Sequence, residues 1–338
     1  MSHGEAQLAL PGVVTETAAE WVWSEETGEE AEVPDFVHAT VMKTEVTEAL
    51  APRAGVYIDA TVGGGGHSEA ILEAHAESRI VALDRDQIAL DAARSRLERF
   101  GDRVTFVKTP FGRIAEALDE LGIEQVAGIC ADLGVSSPQL DDAARGMSFR
   151  REGPIDMRMD PSEGEETALE LIERLSDDDL ANIIFQYGDE RRSRRIARSV
   201  KRALGDNQLV STLDLRRAIV RAVGPVRVGG VDPATRTFQA LRIAVNRELE
   251  ELELLIEVLP RLLEPGGVAA ILSFHSLEDR LVKRAFHAKD TWHPLSKKPL
   301  VASDEEGAAN PRSRSAKLRA ARRLSAEEAA AGGGKYSR

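Results

Sequence analysis

The chain has 338 residues, of which 42% are hydrophobic and 30% charged, which is enough apolar material for a sizeable core and excludes global disorder. The net charge of −13 argues against nonspecific nucleic-acid binding, and no apolar run approaches the ~18 residues of a membrane span, so we expect neither DNA nor a membrane as partner. The lone Cys130 excludes an internal disulfide and a cysteine-based zinc site, and no secretory signal is evident. We therefore expect a soluble, cytoplasmic protein without a bound metal.

Residues 1–35 are predicted to form an acidic, disordered tail. They contain nine carboxylates and neither Lys nor Arg, whereas the remaining 303 residues together carry a net charge of only −4. From Phe36 the pattern becomes globular, and residues 44–50 are predicted to form a short amphipathic helix.

Four apolar strands separated by helices follow, which is the pattern of βαβ units and a parallel sheet. The strands are predicted over 56–60, 79–83, 104–107 and 126–131. Helices are predicted over 68–76, after Asp84 through Phe100, and around 114–121. The strands are apolar along their whole length, as expected when helices cover both faces of the sheet.

The alternation stops after Pro138, and helices then dominate the chain. Residues 141–165 are predicted to be a loop, followed by helices over 167–175, 177–187, 190–204, 212–223 and from Asp232-Pro233 to about Leu263. An apolar strand over 267–274 then resumes the α/β pattern.

The simplest interpretation is one α/β domain interrupted by a helical insertion. We assign residues 36–140 and 241–299 to the two parts of the α/β domain, 141–240 to the insertion, and 300–338 to a basic polar tail. The Ala- and Gly-rich end of that tail is expected to be poorly ordered.

The first strand leads into four consecutive glycines, 63–66, which allow the backbone to approach a ligand closely. A dinucleotide site requires G-x-G-x-x-G, but Ser68 or Glu69 stands at the third glycine position. Asp59-x-x-x-Gly63-x-Gly65 instead matches the acidic-x-x-x-G-x-G pattern of S-adenosylmethionine (SAM) sites. The plain alternative is a flexible turn.

Two aspartates end strands at the edge of the sheet where ligands bind in open parallel sheets. Asp84 follows the second strand, where a carboxylate can accept hydrogen bonds from both ribose hydroxyls, and Asp132 follows the fourth. Asp84 could instead cap a helix, and Asp132 could be a structural carboxylate. Together with the glycines, they favour an adenosine-bearing cofactor.

Longer motifs resemble those of one known family, over about residues 36–323 and in the same order. They are HATV at 38–41, DATVGGGGH at 59–67, LDRD at 83–86, DLGVSSPQLDD at 132–142, GPIDMRMD at 153–160, ATRTFQALR at 234–242, SFHSLEDR at 273–280 and NPRSR at 310–314. By these motifs the chain resembles the RsmH (MraW) family of SAM-dependent methyltransferases of 16S ribosomal RNA.

The resemblance implies an α/β class I SAM-methyltransferase (Rossmann-like) domain with an inserted all-helical domain for substrate recognition. It implies N4-methylation of a cytidine, conventionally numbered 1402, in the decoding region of 16S rRNA within the small ribosomal subunit. The implied cofactor is S-adenosyl-L-methionine, contacted by Gly65, Gly66, His67, Asp84, Phe111, Asp132 and Gln139, with Phe111 against the adenine ring. The acidic tail and Pro110 depart from the family pattern, and a homodimer is left open.

Methylation of cytosine N4 requires a group that accepts a proton from the conjugated amine. Many amino-methyltransferases carry an Asp/Asn/Ser-Pro-Pro-aromatic segment after the fourth strand, whereas this chain has Asp132-Leu-Gly-Val-Ser-Ser-Pro138. We hypothesise that Asp132 or a carbonyl of 133–136 accepts the proton, with Ser136 or Ser137 orienting the base. Asp132 could instead serve only the methionine amino group of the cofactor, and His275 is left open between the substrate pocket and structural support.

Two basic blocks are candidates for contacts with RNA phosphates. Residues 191–202 carry seven basic groups and 312–323 carry six, with no acidic residue in either block, and Arg236 and Arg242 lie nearer the predicted domain junction. The plain alternative is that these blocks are solvated helix faces.

Three other functions fit parts of the sequence. A small-molecule SAM methyltransferase would use the insertion as a lid, but the basic blocks argue against it. A non-catalytic RNA-binding factor would hold SAM as a structural ligand, which the intact glycine loop, Asp84 and Asp132 disfavour. An NAD-dependent oxidoreductase is disfavoured by the missing third glycine.

Overall fold

Seven strands form one sheet in the described chain, which comprises residues 40–225 and 232–333 of a computed structural model. They are β1 (Gly55–Asp59), β2 (Ser78–Asp84), β3 (Val104–Lys108), β4 (Val126–Asp132), β5 (Leu263–Ser273), β6 (Trp292–Pro294) and β7 (Lys317–Arg323). Their order is β3-β2-β1-β4-β5-β7-β6, with parallel pairing from β3 to β5 and antiparallel pairing of β5 with β7 and of β7 with β6. The predicted α/β class and the first four strands are confirmed.

Helices cover both faces of this sheet. The helices, in chain order, are α1 (Lys43–Leu50), α2 (Gly66–Ala74), α3 (Gln87–Leu97), α4 (Ile114–Glu120), α5 (Ser137–Asp141), α6 (Ala168–Arg174), α7 (Asp177–Gly188), α8 (Ser193–Gly205), α9 (Thr212–Val223), α10 (Thr235–Asn246), α11 (Glu248–Leu262), α12 (Ser276–Ala285), α13 (Asp304–Ala309) and α14 (Ala326–Gly333). Apolar side chains of α1, α2 and α3 pack on one face, and those of α4, α11 and α12 pack on the other. No helix within the described ranges is long and apolar enough to cross a bilayer.

The helices from α6 to α10 enclose a hydrophobic core of their own. Buried residues between Ile155 and Val245 form a cluster separate from the two that flank the sheet. Each of these helices is amphipathic and places its apolar side chains in this cluster, because helical periodicity puts them on one face. The cluster supports a helical insertion between β4 and β5, and its exact limits, 141–240, stay a prediction.

The single long helix predicted from residue 232 to 263 is wrong, because the chain breaks into α10 and α11 at Arg247. Arg247 adopts a left-handed conformation, with φ of 53°. Just before the break, the buried Asn246 side chain donates to the Met157 carbonyl at 2.7 Å and accepts from the Met159 N–H at 2.7 Å. These contacts come from a loop about 90 residues earlier, so helical periodicity alone could not reveal the break.

The assignment of residues 300–338 to a polar tail is also wrong, because residues 317–323 form β7 inside the sheet. Leu318 and Ala321 are buried in the two cores flanking the sheet, and the intervening Arg319 pairs with Asp279 at 2.6 Å. The Ala- and Gly-rich end forms α14 up to Gly333. The predicted acidic tail, residues 1–35, and the last five residues lie outside the described ranges.

Candidate active site

A cavity lies at the carboxyl ends of β1, β2, β3, β4 and β5. The chain runs outward from β1 to β3 on one side and returns to β4 on the other, so β1 and β4 mark the topological switch point. The cavity is lined by residues that directly follow these strands and by Thr40, Met159, Asn246, Glu248, Glu251, Glu278, Asn310 and Arg312. The fold therefore brings the predicted glycine loop, Asp84, Phe111 and Asp132 to one place.

The glycine loop closes tightly over the start of α2. Gly65, with φ of 80°, caps the helix, and a side chain there would press on Leu97. A Cβ on Gly66 would lie 1.7 Å from Thr40 Oγ1, so only glycine fits this position. Gly66 and His67 line the cavity, whereas Gly65 is not among the lining residues.

The acidic residue of the glycine pattern, Asp59, lies beneath the loop and does not line the cavity. Its side chain is buried and accepts a hydrogen bond from Ser68 Oγ at 2.7 Å. Burial raises the pKa of Asp59. The residue thus anchors the first turn of α2 rather than contacting a ligand.

Asp84 supports the loop and also faces the cavity. Its Oδ2 accepts from the Gly63 N–H at 2.9 Å, and its Oδ1 accepts from the Asp86 N–H at 2.9 Å. Each oxygen keeps a lone pair for a further donor. Burial raises the pKa of Asp84 to about 6, against the opposing effect of these two hydrogen bonds.

His67 and Asp132 form a buried pair at the floor of the cavity. His67 Nε2 lies 3.7 Å from Asp132 Oδ2, and the Asp132 N–H donates to Thr61 Oγ1 at 2.7 Å. Both ring nitrogens of His67 and Oδ1 of Asp132 are buried without a hydrogen-bond partner among the described residues. Buried polar atoms are normally paired, so this pair indicates a site built for a polar ligand.

Phe111 lines the cavity shortly after the end of β3, and contacts of its neighbour and of its ring fix its position. The next residue, Gly112, donates its N–H to Glu251 Oε2 at 2.8 Å. The Phe111 ring also packs against the core on the α4 and α11 side of the sheet. Phe111 is therefore both a core residue and a cavity residue.

Gln139 lines the cavity, but its side-chain amide is engaged within the protein. Its Oε1 accepts from the Ser136 N–H at 3.0 Å, and its Nε2 donates to Asp86 Oδ2 at 2.9 Å. Arg145 donates to the same Asp86 oxygen and to the Met159 carbonyl at 2.8 Å. This network fixes the segment after β4. Ser136 lines the cavity, and Ser137 is the first residue of α5.

The sequence indicates Arg242 and His275 as candidates but not their partners, Glu248 and Glu278, which line the cavity. Arg242 pairs with both oxygens of Glu248, at 2.7 and 2.8 Å, and His275 Nε2 lies 3.1 Å from Glu278 Oε1. Glu248, His275 and Glu278 bring potential metal-ligating atoms within 4.8 Å of one another, but the Arg242 guanidinium occupies Glu248. Glu278 stands inside the motif at 273–280, which singled out only its neighbour His275.

The two basic blocks have different structural roles. In the block at 312–323, Arg319 is buried against Asp279, and Arg312 lies at the cavity, 2.9 Å from Asp141. In the block at 191–202, which spans the start of α8, the arginine side chains are exposed. Lys201 instead donates to carbonyls at the end of α6. Arg242 is a buried ion-pair partner, so its predicted role as a phosphate contact is wrong.

The residues at the cavity fit S-adenosylmethionine. Asp84 can accept from two ribose hydroxyls, Phe111 offers a ring face for adenine, and the unpaired oxygen of Asp132 can accept from an ammonium group. The carboxylates, the aromatic ring and the glycine loop surround one cavity at the switch point, as an adenosine-bearing ligand requires.

The sequence matches the model of the MraW methylase family over residues 35–324. It is 62% identical over 295 residues to ribosomal RNA small subunit methyltransferase H of Sorangium cellulosum, covering 87% of this chain and 93% of that protein. It is 48% identical over 291 residues to the protein of the same name from Synechococcus elongatus, covering 86% of this chain and 95% of the relative. These matches span the sheet, the cavity and the helical insertion.

Proposed function

Because the chain belongs to the MraW methylase family, we propose that it transfers a methyl group from SAM to N4 of cytidine 1402, in the decoding region of 16S rRNA within the small ribosomal subunit. The coarser activity, SAM-dependent methylation of small-subunit rRNA, follows from the family. The observation that carries the finer proposal is the cavity, which combines a cofactor side at β1 and β2 with an acidic side at Glu248 and Glu278. An amino group donates hydrogen bonds and a carboxylate accepts them, so this acidic side suits a substrate that carries an amino group.

We assign Asp84, Phe111, Gly66, His67 and Asp132 to the cofactor. SAM, when bound, supplies a methyl group activated on a sulfonium, so the protein itself need not form a covalent intermediate. Asp132 is proposed to bind the methionine ammonium group, and Ser136 and Ser137 are proposed to orient the base. Gly65 and Gln139 act on the cofactor indirectly, through the glycine loop and the segment after β4.

The test is methyl transfer from labelled SAM to small subunits that lack the mark, beside naked 16S rRNA, followed by nucleoside mass spectrometry. We expect N4-methylcytidine at position 1402 in subunits. Methylation of another nucleoside or position would contradict the proposal, and so would the absence of product when SAM still binds.

Replacing Asp132 with asparagine is expected to weaken SAM binding by about tenfold or more. The substitution keeps the size of the side chain but removes the charge that would pair with an ammonium, and hydrogen bonds to charged groups contribute roughly 1.5–3 kcal/mol. Isothermal titration calorimetry measures the change, with the exposed Asp91→Asn as the matched control. Wild-type affinity and turnover in Asp132→Asn would exclude Asp132 from both the cofactor and the chemistry.

Neutralising the exposed face of α8 is expected to weaken binding to the small subunit in a salt-dependent way. Arg195 and Arg202 are exposed there, and the exposed Arg191 lies just before the helix. If each contacts one phosphate, their combined replacement with alanine should reduce the slope of log K against log salt by roughly 2, at about 0.7 per contact. SAM affinity should stay unchanged. An unchanged slope would show that α8 is a solvated face, and Arg94→Ala on α3 controls for loss of charge elsewhere.

A further inference from the structure

One wall of the cavity has no proposed role in cofactor binding. It is formed by Phe274, Glu248 and Glu278, which all line the cavity. The two glutamates are almost completely buried, with 7% of Glu248 and 2% of Glu278 exposed. Two buried carboxylates at one wall are costly unless they have partners, so each requires an explanation.

The charge of Glu248 is neutralised within the protein. Arg242 donates to both of its oxygens, at 2.7 and 2.8 Å, and forms a bidentate pair across the break between α10 and α11. Glu248 therefore contributes shape and structure to the wall. The carboxylate that remains for a ligand is Glu278.

Glu278 is held rigidly in the first turn of α12, with one oxygen still available. Its Oε2 accepts from the Phe274 N–H at 2.8 Å and from the His275 N–H at 3.3 Å. Its Oε1 lies 3.1 Å from His275 Nε2, while His275 Nδ1 accepts from the Glu278 N–H at 3.5 Å. With Nδ1 as an acceptor, a neutral His275 carries its proton on Nε2. This nitrogen lies 3.1 Å from the carboxylate oxygen but forms no hydrogen bond with any described residue.

This geometry keeps Glu278 ionised. Burial raises the pKa of Glu278, but the contact from His275, the Phe274 N–H and the charge of Arg242 together outweigh it, so the pKa lies below its usual value. An ionised carboxylate can accept hydrogen bonds but cannot donate one. It therefore suits a ligand that presents an N–H.

Phe274 and Glu278 lie next to the segment that begins with Asp132. β5 pairs with β4 so that Asp132 lies opposite Leu272, and the Leu133 N–H donates to the Leu272 carbonyl at 3.1 Å. A Cβ placed on Gly134 would lie 3.8 Å from the Phe274 ring. The cofactor residues approach this segment from the β1 side, and Phe274 with Glu278 approaches it from the β5 side.

We propose that Phe274 and Glu278 form the subsite for the target nucleobase, with the Phe274 ring against its face and Glu278 accepting first a hydrogen bond and then a proton from its exocyclic amino group. This rests on the proposed function, because it requires an aminated base as substrate. His275 is a positioning residue that orients Glu278. The subsite accepts a base with an amino group beside Glu278 and rejects a base with a carbonyl there, since a carboxylate repels a carbonyl oxygen.

The chemical step balances with the groups named. The N4 lone pair forms a bond to the methyl carbon, the carbon–sulfur bond breaks with its electron pair left on sulfur, and the attacked nitrogen becomes positively charged. One of its two protons passes to Glu278 Oε1, which restores a neutral methylamino group, and the carboxylic acid later releases the proton to water. The protonated intermediate is strongly acidic, so a carboxylate of low pKa is a sufficient base.

The test compares Glu278→Gln with wild type in single-turnover methylation of unmethylated small subunits. Glutamine keeps an oxygen for the Phe274 N–H but cannot take the proton, so we expect the rate to fall by about 10²–10⁴-fold. SAM affinity and subunit affinity should each stay near wild type, which a merely structural role would not allow. Glu257→Gln, an exposed glutamate on α11, is the matched control.

The conservative variant Glu278→Asp keeps the carboxylate and should be faster than Glu278→Gln even if both are partly destabilised. A rate for Glu278→Gln within about threefold of wild type would overturn the subsite, and so would equal rates for the aspartate and glutamine variants. Failure of the proposed function looks different, because wild-type enzyme would then yield no N4-methylcytidine. A loss confined to Asp132→Asn, with SAM affinity intact, would assign the proton to Asp132 instead.

Discussion

Replacing Arg242 with methionine is expected to lower the free energy of unfolding by about 3–5 kcal/mol, the usual effect of removing one partner of a buried ion pair. Arg242 and Glu248 are both largely buried, with 15% and 7% of their side chains exposed. Methionine fills the volume of the arginine stem but leaves the Glu248 carboxylate without its two donors. Chemical denaturation measures the change.

The control for Arg242→Met is an ion pair on the surface. Arg113 donates to Glu116 in the first turn of α4, where both side chains are mostly exposed. Solvent screens such pairs, so Arg113→Ala should leave the denaturation midpoint nearly unchanged. If Arg242→Met were equally mild, Glu248 would have to find another partner or become protonated, and the account of this wall would be wrong.

Replacing Asp84 with alanine is expected to weaken SAM binding by about 100-fold, because two hydrogen bonds between ribose hydroxyls and a carboxylate are lost, each contributing roughly 1.5 kcal/mol or more. Asp84 also holds the Gly63 N–H at 2.9 Å, so the glycine loop loses its anchor in the same variant. Asp91→Ala, on the exposed surface of α3, is the control. Affinity within about threefold of wild type would remove Asp84 from the cofactor site.

The pH dependence of SAM affinity tests the proposed role of Asp84 independently. Burial raises the pKa of Asp84 to about 6. Ribose hydroxyls favour the ionised form, so the bound enzyme holds fewer protons, and affinity should fall as the pH drops through 6. The pH dependence of folding stability has the opposite sign. The raised pKa of Asp84 stabilises the fold at pH below the ordinary pKa of aspartate, and this contribution to stability is lost as the pH rises through 6. A pH-independent affinity between 5 and 8 would contradict this role.

The gathering of the proposed cofactor residues at one cavity could be predicted because these residues come after strands. Gly66, Asp84, Phe111 and Asp132 each stand at the end of an apolar segment, and parallel strands bring their carboxyl ends to one edge. The roles of individual residues were harder to predict. The pattern contains Asp59 but does not show its role, which is to hold Ser68 from a buried position under the loop.

The proposed substrate half of the site could not be predicted, since it joins residues that are distant in the chain. Glu248 and Glu278 belong to different helices, and their partners Arg242 and His275 were interpreted as a phosphate contact and as an undecided residue. Charged residues on amphipathic helices are usually solvated, so burial of this group becomes visible only when α10, α11 and α12 are placed.

Local patterns along the chain were enough to predict four buried parallel strands, the helices between them, the glycine loop and the family. The pairing of residues 317–323, the break at Arg247 and the choice of carboxylates that face the cavity became visible only in the folded chain. The cause is the separation along the chain between the residues that interact. Strand and helix periodicity depend on neighbours a few residues apart, whereas the pairing of Arg319 with Asp279 and the contacts of Asn246 with the 157–159 loop span 40 to 89 residues.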